Sequence, residues 1–490
     1  MAAGAAAPFV LALDVGTTGV RALLIDAAGR MVARHYREVL PTHPAPGLVE
    51  HDLEQTYAAV LAVLAAAAAD AGTAGVRALG ITTQRGTAVV WETDGGRPVH
   101  DAISWQDARA TQRCMDLLAQ GVLVVPLTAA SKVEWILDRV DPKRHGVESG
   151  RLRCGTLDAW LAYRLSGGAV FATDHSNGSC SGFYDMAEPR WQEPVLRALR
   201  VPESSLPALV DSSAVLGETA SSSGLPVLPI ASLVGDQQAA MMGELCVQPG
   251  TMKVTYGTAA MLNLHTGTEP IWSAPGAYPL VAWKRAGRRE LCLEGMAITA
   301  GAAVTWLRDG LGVIGTPAES DALAASVPDS GGVWAIPAFQ GLGTPYLDTS
   351  ARAVIGGLSR ASTRAHVVRA VLEGIAWRCR EAYDAMAAHS PHPAPLRLRA
   401  DGGAARSDVL LQAQADALGI PVERAPVLEA AALGAAYLAG LATGVWHSTD
   451  ELAAGWTPAR RFDPLLSAAE RDERFARWRA HVPAARAEAS

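Results

Sequence analysis

Hydrophobic residues fall in two spacings along this chain. FVLALDV, RALLIDA and MVARHYREV are short apolar runs separated by turn residues, Gly29 among them, and they predict an antiparallel β unit at the start. An Ala/Leu-rich stretch over about 53–70 has helical character, and VRALGITTQ at 76–84 reads as a strand. AVVWETDGGRPV follows as a hairpin turning at Asp94-Gly95-Gly96. Helices are expected around 105–119, 130–139 and 156–164, and LPVLPIASLVGDQQAAMMGEL (225–245) reads as strand, glycine turn, helix.

After Gly250 the cycle begins again. MKVTYGTAAMLNLH and YPLVAWKR predict strands, LCLEGMAITAGAAVTWLRDGL strand then helix, and VWAIPAF a strand. The stretch 363–388 carries Val367, Val368, Val371, Leu372 and Ile375 at helical spacing, and LRLRADGG opens another strand–loop–helix unit. The repeated order predicts two related α/β domains, 1–248 and 249–490. The tail over about 462–490 is charged and reads as a solvated helix.

Composition narrows the function classes. The 490 residues are 49% hydrophobic and 19% charged, as expected of a well-cored globular protein. A net charge of −7 gives no basic balance for nucleic acid. The six cysteines are scattered without a CxxC, which reads as free thiols in a reducing compartment rather than a zinc site or disulfides. MAAGAAAP lacks the basic start of a signal peptide, and the longest apolar run, Val60–Ala69, is too short to span a bilayer. A cytoplasmic protein without membrane insertion is expected.

Candidate chemistry concentrates at glycine turns. VLALDVGTTGVRALLID (10–26) has a near-echo in LRLRADGGAARSD (396–408): an apolar run, an Asp-x-Gly or Asp-Gly-Gly turn, small or hydroxylic residues, then arginine. Glycine lets backbone N–H groups approach phosphate oxygens, hydroxyls add donors, and an aspartate at a strand end can hold a nucleotide's magnesium. Two such turns suggest two lobes holding one nucleotide. Asp236, in Gly235-Asp236-Gln237, stands between an apolar strand and an apolar helix. It could take a proton from a substrate hydroxyl, although by local pattern a helix N-cap comes first. Gln84-Arg85 and Trp105-Gln106-Asp107 offer groups for hydroxyl recognition, or equally a surface ion pair and a core indole. Gly257-Thr258 is a further phosphate-loop candidate or a plain turn, and Gly341-Leu342-Gly343-Thr344-Pro345 reads as structural.

Together with GLVEHD (47–52), TTQRGTAVVW (82–91), ISWQDARA (103–110), TDHSNGS (173–179) and GDQQAAMMGELCVQPGTMKVTYGT (235–258), these elements resemble the FGGY carbohydrate kinases. Within them, GDQQAA, WQD and TQR resemble the glycerol kinase branch. The resemblance covers nearly the whole chain. It implies two actin/hexokinase-like (ribonuclease H-like) α/β domains flanking a cleft, binding ATP and Mg2+ together with a small polyol or sugar. It further implies Asp236 as general base, and Arg85, Trp105, Asp236 and Gln237 around the acceptor. Asp14 would organise magnesium, and Thr17, Thr18, Arg21, Thr258, Gly301, Gly403 and Ser407 the nucleotide. A homo-oligomer is expected on the same ground.

The departures fall on the acceptor side. Gly86 stands where the resemblance implies a hydroxyl-binding glutamate, Leu127 where it implies a tyrosine, and Met261 where it implies a phenylalanine. Losing the carboxylate is expected to weaken binding of a small triol and to open volume for a larger polyol or ketose, so that Gly86→Glu should sharpen glycerol preference. On the nucleotide side, Thr305 and Ser407 replace residues that are often Gln and Asn. Two other classes share such a fold. A non-catalytic nucleotide-binding regulator would lose Asp236 or Asp14, and a cytoskeletal or chaperone-like ATPase would lack the TQR and WQD elements.

Overall fold

The computed structural model describes residues 8–72 and 75–487. The reading of the extreme N-terminus lies outside the described residues, apart from Pro8. The chain divides into two compact units: 1–245 with 280–290 and 431–455, and 246–279 with 291–430 and 456–490. The first unit therefore gathers two segments that the linear pattern places in the second half.

In the first unit Phe9–Val15, Gly19–Ile25 and Met31–Glu38 form an antiparallel meander. Val76–Thr83 runs parallel to Phe9–Val15, and Pro229–Gly235 runs parallel to Val76–Thr83. The second unit repeats this order and direction. Met252–Tyr256, Ala260–Gly267 and Arg288–Ala297 are antiparallel neighbours, and Leu398–Asp401 and then Val422–Arg424 add in parallel. This is the ribonuclease H-like α/β arrangement twice over. Parallel pairs need crossovers, and helices such as Leu53–Asp70 and Arg364–Ala387 occupy them.

The topology revises the meaning of the echo. Asp14 lies on the first strand of one sheet, whereas Asp401 ends the strand that pairs in parallel with the first strand of the other. The true counterpart of the 14–19 turn is the turn from Tyr256 to Ala260.

Leu53–Asp70 is, among the described residues, the one helix long and apolar enough to cross a membrane. It lies on the first sheet, with Leu53, Val60, Val63, Leu64 and Ala67 buried in the core there. In the second unit Val368, Val371, Leu372 and Ile375 join Val254, Leu262 and Leu293. The expected solvated tail is corrected: Phe475, Trp478, Val482 and Ala485 are buried with Ile336, Ala338 and Leu342. Trp478 Nε1 donates to the Ala335 carbonyl at 2.9 Å. In the helix Ala468–Arg479 the two aromatic side chains turn inward together, while most of its charged residues stay exposed. Thr344 ties the glycine-rich turn to Gly276 and Met296 at 2.7 and 2.9 Å, a structural role as expected.

Candidate active site

The turn after Phe9–Val15 is tight, with Gly16 N–H bonding the Gly19 carbonyl at 3.0 Å. A Cβ on Gly19 would meet the Tyr36 ring, which would have to swing aside and give up its bond to Thr18. Asp14 is buried and opposite Arg21 in the strand pair, whose Nη1 reaches its Oδ2 at 3.2 Å. Thr18 is exposed at the tip, and its carbonyl is fixed by Val39 N–H and the Tyr36 hydroxyl at 3.1 and 3.2 Å. Asp14, Thr17, Thr18 and Arg21 are thus grouped on one turn.

Asp236 stands at the first helical position of Asp236–Gly243, after the N-cap Gly235, so it is not the helix cap. Its Oδ1 accepts from Gln237 N–H at 2.8 Å and from Arg85 Nε at 2.9 Å, and its side chain is 28% exposed. Both bonds fall on Oδ1. Buried support lies behind it. Asp174 accepts from the N–H groups of Ser176 and Asn177 and from the Ser212 hydroxyl, and Ser176 Oγ receives Gly235 N–H at 2.8 Å. Arg85 Nη1 also reaches Cys180 Sγ at 3.6 Å.

Trp105 is held by two hydrogen bonds, one of them to the 14–19 turn. Its indole Nε1 donates to Thr17 Oγ1 at 3.3 Å, and its carbonyl receives Lys132 Nζ at 3.2 Å. Burial pushes Lys132 down to about 7, against the pull of Asp107. Thr17 Oγ1 donates to Gln84 Oε1 at 3.0 Å, and Gln84 Nε2 lies 3.2 Å from His51 Nε2. Burial, and then the charge of His43, lower His51 to about 4. Asp107, a candidate for hydroxyl recognition, is spent on the fold. It accepts from Val49 N–H at 2.6 Å and from Arg109 Nε and Nη2 at 2.8 Å. Burial acts to raise its pKa, and these donors outweigh that and hold it low.

Gly86 does not open volume. It is left-handed, with φ 68°, and an added Cβ would sit well inside contact distance of the Leu127 carbonyl oxygen. The backbone at 127 fills that position, and Leu127 as a whole is 44% exposed. The volume expected from the missing side chain is therefore taken, at its Cβ, by that carbonyl.

The second unit brings three of its candidates together. Gly301 N–H bonds the Gly257 carbonyl and Ala300 N–H the Thr258 carbonyl, both at 2.9 Å, so the helix Gly301–Asp309 starts against the Thr258 turn. A Cβ on Gly301 would meet the Gly257 carbonyl at 2.6 Å, and one on Gly402 the Tyr256 carbonyl at 2.7 Å. Gly403, beside it, has open space. Ser407 is committed elsewhere: it caps Asp408–Leu418, receiving Leu410 N–H at 3.0 Å and donating to Asp321 at 2.5 Å. Met261 pairs with Thr255 on the strand after the Thr258 turn.

Sequence reasoning missed His51, Lys132 and Asp174 as supports. GLVEHD and TDHSNGS contained the first and third, but the burial that gives them meaning has no linear signature.

The descriptions of the FGGY family of carbohydrate kinases match the chain with an N-terminal domain over residues 9–243 and a C-terminal domain over 252–443. A glycerol kinase of Symbiobacterium thermophilum is 44% identical over 490 residues, 98% of each chain. Glycerol kinase 2 of Thermotoga maritima is 41% identical, covering 97% of this chain and 98% of its own. The crystal structure of Plasmodium falciparum glycerol kinase with ADP superposes with a TM-score of 0.90 at 26% identity, over 98% of each chain. Two matched domains in order and near-complete coverage by these relatives establish that the chain belongs to the FGGY family of carbohydrate kinases.

Proposed function

We propose that this kinase transfers the γ-phosphoryl group of ATP to a primary hydroxyl of a small polyol, with glycerol yielding glycerol 3-phosphate. The observation that carries the reading is Asp236, aimed by Arg85 and Gln237 N–H beside the Thr17–Gln84–Trp105 cluster. The named relatives support glycerol as acceptor.

In this reading the acceptor hydroxyl gives its proton to Asp236 Oδ2, while Arg85 and Gln237 hold neighbouring hydroxyls and Trp105 covers the carbon chain. Phosphoryl transfer asks for position and charge more than covalent help. The 16–19 turn, the Thr18 hydroxyl and Arg21 would hold the phosphates, and Thr258, Gly301 and Gly403 the rest of the nucleotide. Asp14 fits magnesium, because a buried carboxylate at a glycine turn supplies the one protein ligand that Mg2+ commonly takes beside phosphates and water. When bound, the ion neutralises phosphate charge. The reading places the protein in the cytoplasm, as a homo-oligomer.

Asp236→Asn tests it. Glycerol-dependent ADP release should fall by about 10²–10⁴ while nucleotide affinity holds. Near-parental turnover would remove Asp236 as the base.

A further inference from the structure

Four side chains of the first unit form one directed chain, and their chemistry fixes its sense. Trp105 Nε1–H can only donate, so Thr17 Oγ1 accepts from it at 3.3 Å. The Thr17 proton is thereby turned to Gln84 Oε1 at 3.0 Å. With its oxygen engaged, the Gln84 amide presents N–H to His51 Nε2 at 3.2 Å, and His51 keeps its own proton on Nδ1. Gln84 and His51 are both buried. Gln84 N–H is also bound to the Val15 carbonyl at 2.9 Å, immediately before the phosphate turn. His51 pairs with Ala102, three residues before Trp105. The chain therefore joins the turn assigned to phosphate with the wall assigned to the acceptor.

We propose that Gln84 and His51 are positioning residues that couple the two substrates: the chain from His51 through Gln84 and Thr17 to Trp105 sets the phosphate turn and the acceptor wall in one register. Each substrate then binds more tightly when the other is present. Neither residue needs to touch a reacting atom. Among the described residues the His51 ring hydrogen-bonds Gln84, so the effect of losing that ring is expected to be contained within the loss of Gln84.

This inference rests on the glycerol reading above, and the experiment separates the two. Glycerol binding is titrated calorimetrically into the parent, Gln84→Leu, His51→Leu, the double variant and His51→Gln, with and without a non-hydrolysable ATP analogue and Mg2+. Glycerol turnover and thermal unfolding are followed on the same samples. The parent should bind glycerol more tightly with the nucleotide analogue. That ratio should fall towards one in both leucine variants, and glycerol KM should rise about tenfold in Gln84→Leu as two hydrogen bonds are lost. The double variant should be no worse than Gln84→Leu, and His51→Gln, whose amide oxygen reaches as far as Nε2, should restore the ratio. Gln84→Asn, still polar but one methylene shorter, serves if leucine prevents folding, with the same loss expected. A parent that phosphorylates glycerol while Gln84→Leu keeps the parental ratio, or a double variant with additive losses, overturns the coupling alone. A parent that neither binds nor phosphorylates glycerol overturns the acceptor reading, and the coupling with it.

Discussion

Adding a side chain at Gly86 should damage the site whatever that side chain carries. The left-handed backbone there, φ 68°, costs a residue with a Cβ about 1–2 kcal/mol. The Cβ would also overlap the Leu127 carbonyl, and overpacking of this kind costs about 1–3 kcal/mol. The sum, about 2–5 kcal/mol, is large against ordinary domain stability. Relief requires moving either the segment before Ala130 or the turn itself, and Arg85, bonded to Asp236 at 2.9 Å, is the preceding residue. Gly86→Ala isolates the backbone effect, and Gly86→Glu adds the carboxylate. ADP release over glycerol, erythritol and larger polyols should fall for every acceptor in both variants, with little change in their ratios. The melting temperature should drop by about 4–10 °C. A Gly86→Glu protein of parental stability that gains on glycerol relative to larger polyols would refute the argument, and would show that the carbonyl of Leu127 yields easily.

Lys132 gives a pH signature. Burial holds its folded pKa at about 7, below the ordinary lysine value of 10.5, so the unfolded chain holds the extra proton between these limits. Parent stability should therefore rise from pH 7 to 10.5 by up to about 5 kcal/mol from this group, and the cost should be fully present below pH 7. Lys132→Met should flatten the slope, and an unchanged difference between denaturation curves at pH 7 and 10 would count against it. Ser407→Ala should cost about 1–2 kcal/mol of stability through the lost cap and leave KM for ATP within about twofold; a tenfold rise in that KM would return Ser407 to the nucleotide site. Trp478→Ala should cost about 3–5 kcal/mol, since the indole is buried and bonded to Ala335. A change below 1 kcal/mol in chemical denaturation would restore the picture of a solvated tail.

The strands and helices were legible because alternation and helical spacing are local properties. Phe9–Val15, Leu53–Asp70 and Arg364–Ala387 fall where their patterns put them. Grouping was partly legible: Asp14, Thr17, Thr18 and Arg21 share one turn, and Thr258 and Gly301 meet through backbone bonds. What stayed hidden depends on distant partners. Asp107 and Ser407 looked available because their hydrogen-bond partners lie on other segments, Val49 and Asp321. Gly86 looked like empty space because the carbonyl that fills it arrives 41 residues later in the chain. Charge misled at Ala468–Arg479, where one face of a charged helix still buries Phe475 and Trp478.

The late return of residues 431–455 to the first unit bears on how the protein is made. The helix Ala430–Thr443 lays the Ala435 carbonyl against Gly80 on a central strand and Gly434 against the Ala239 carbonyl, approaches that only glycine permits. Tyr437 and Trp446 donate to the carbonyls of Gly29 and Ala27 at 3.3 and 2.9 Å. A ribosome that has released residues 1–245 has therefore not delivered the material to finish the unit those residues begin. The strand at Gly80 waits, partly uncovered, until most of the second unit has emerged. Dissection at residue 245 would reproduce that unfinished intermediate rather than an independent domain, and complementation in trans would need the 431–455 segment supplied with it.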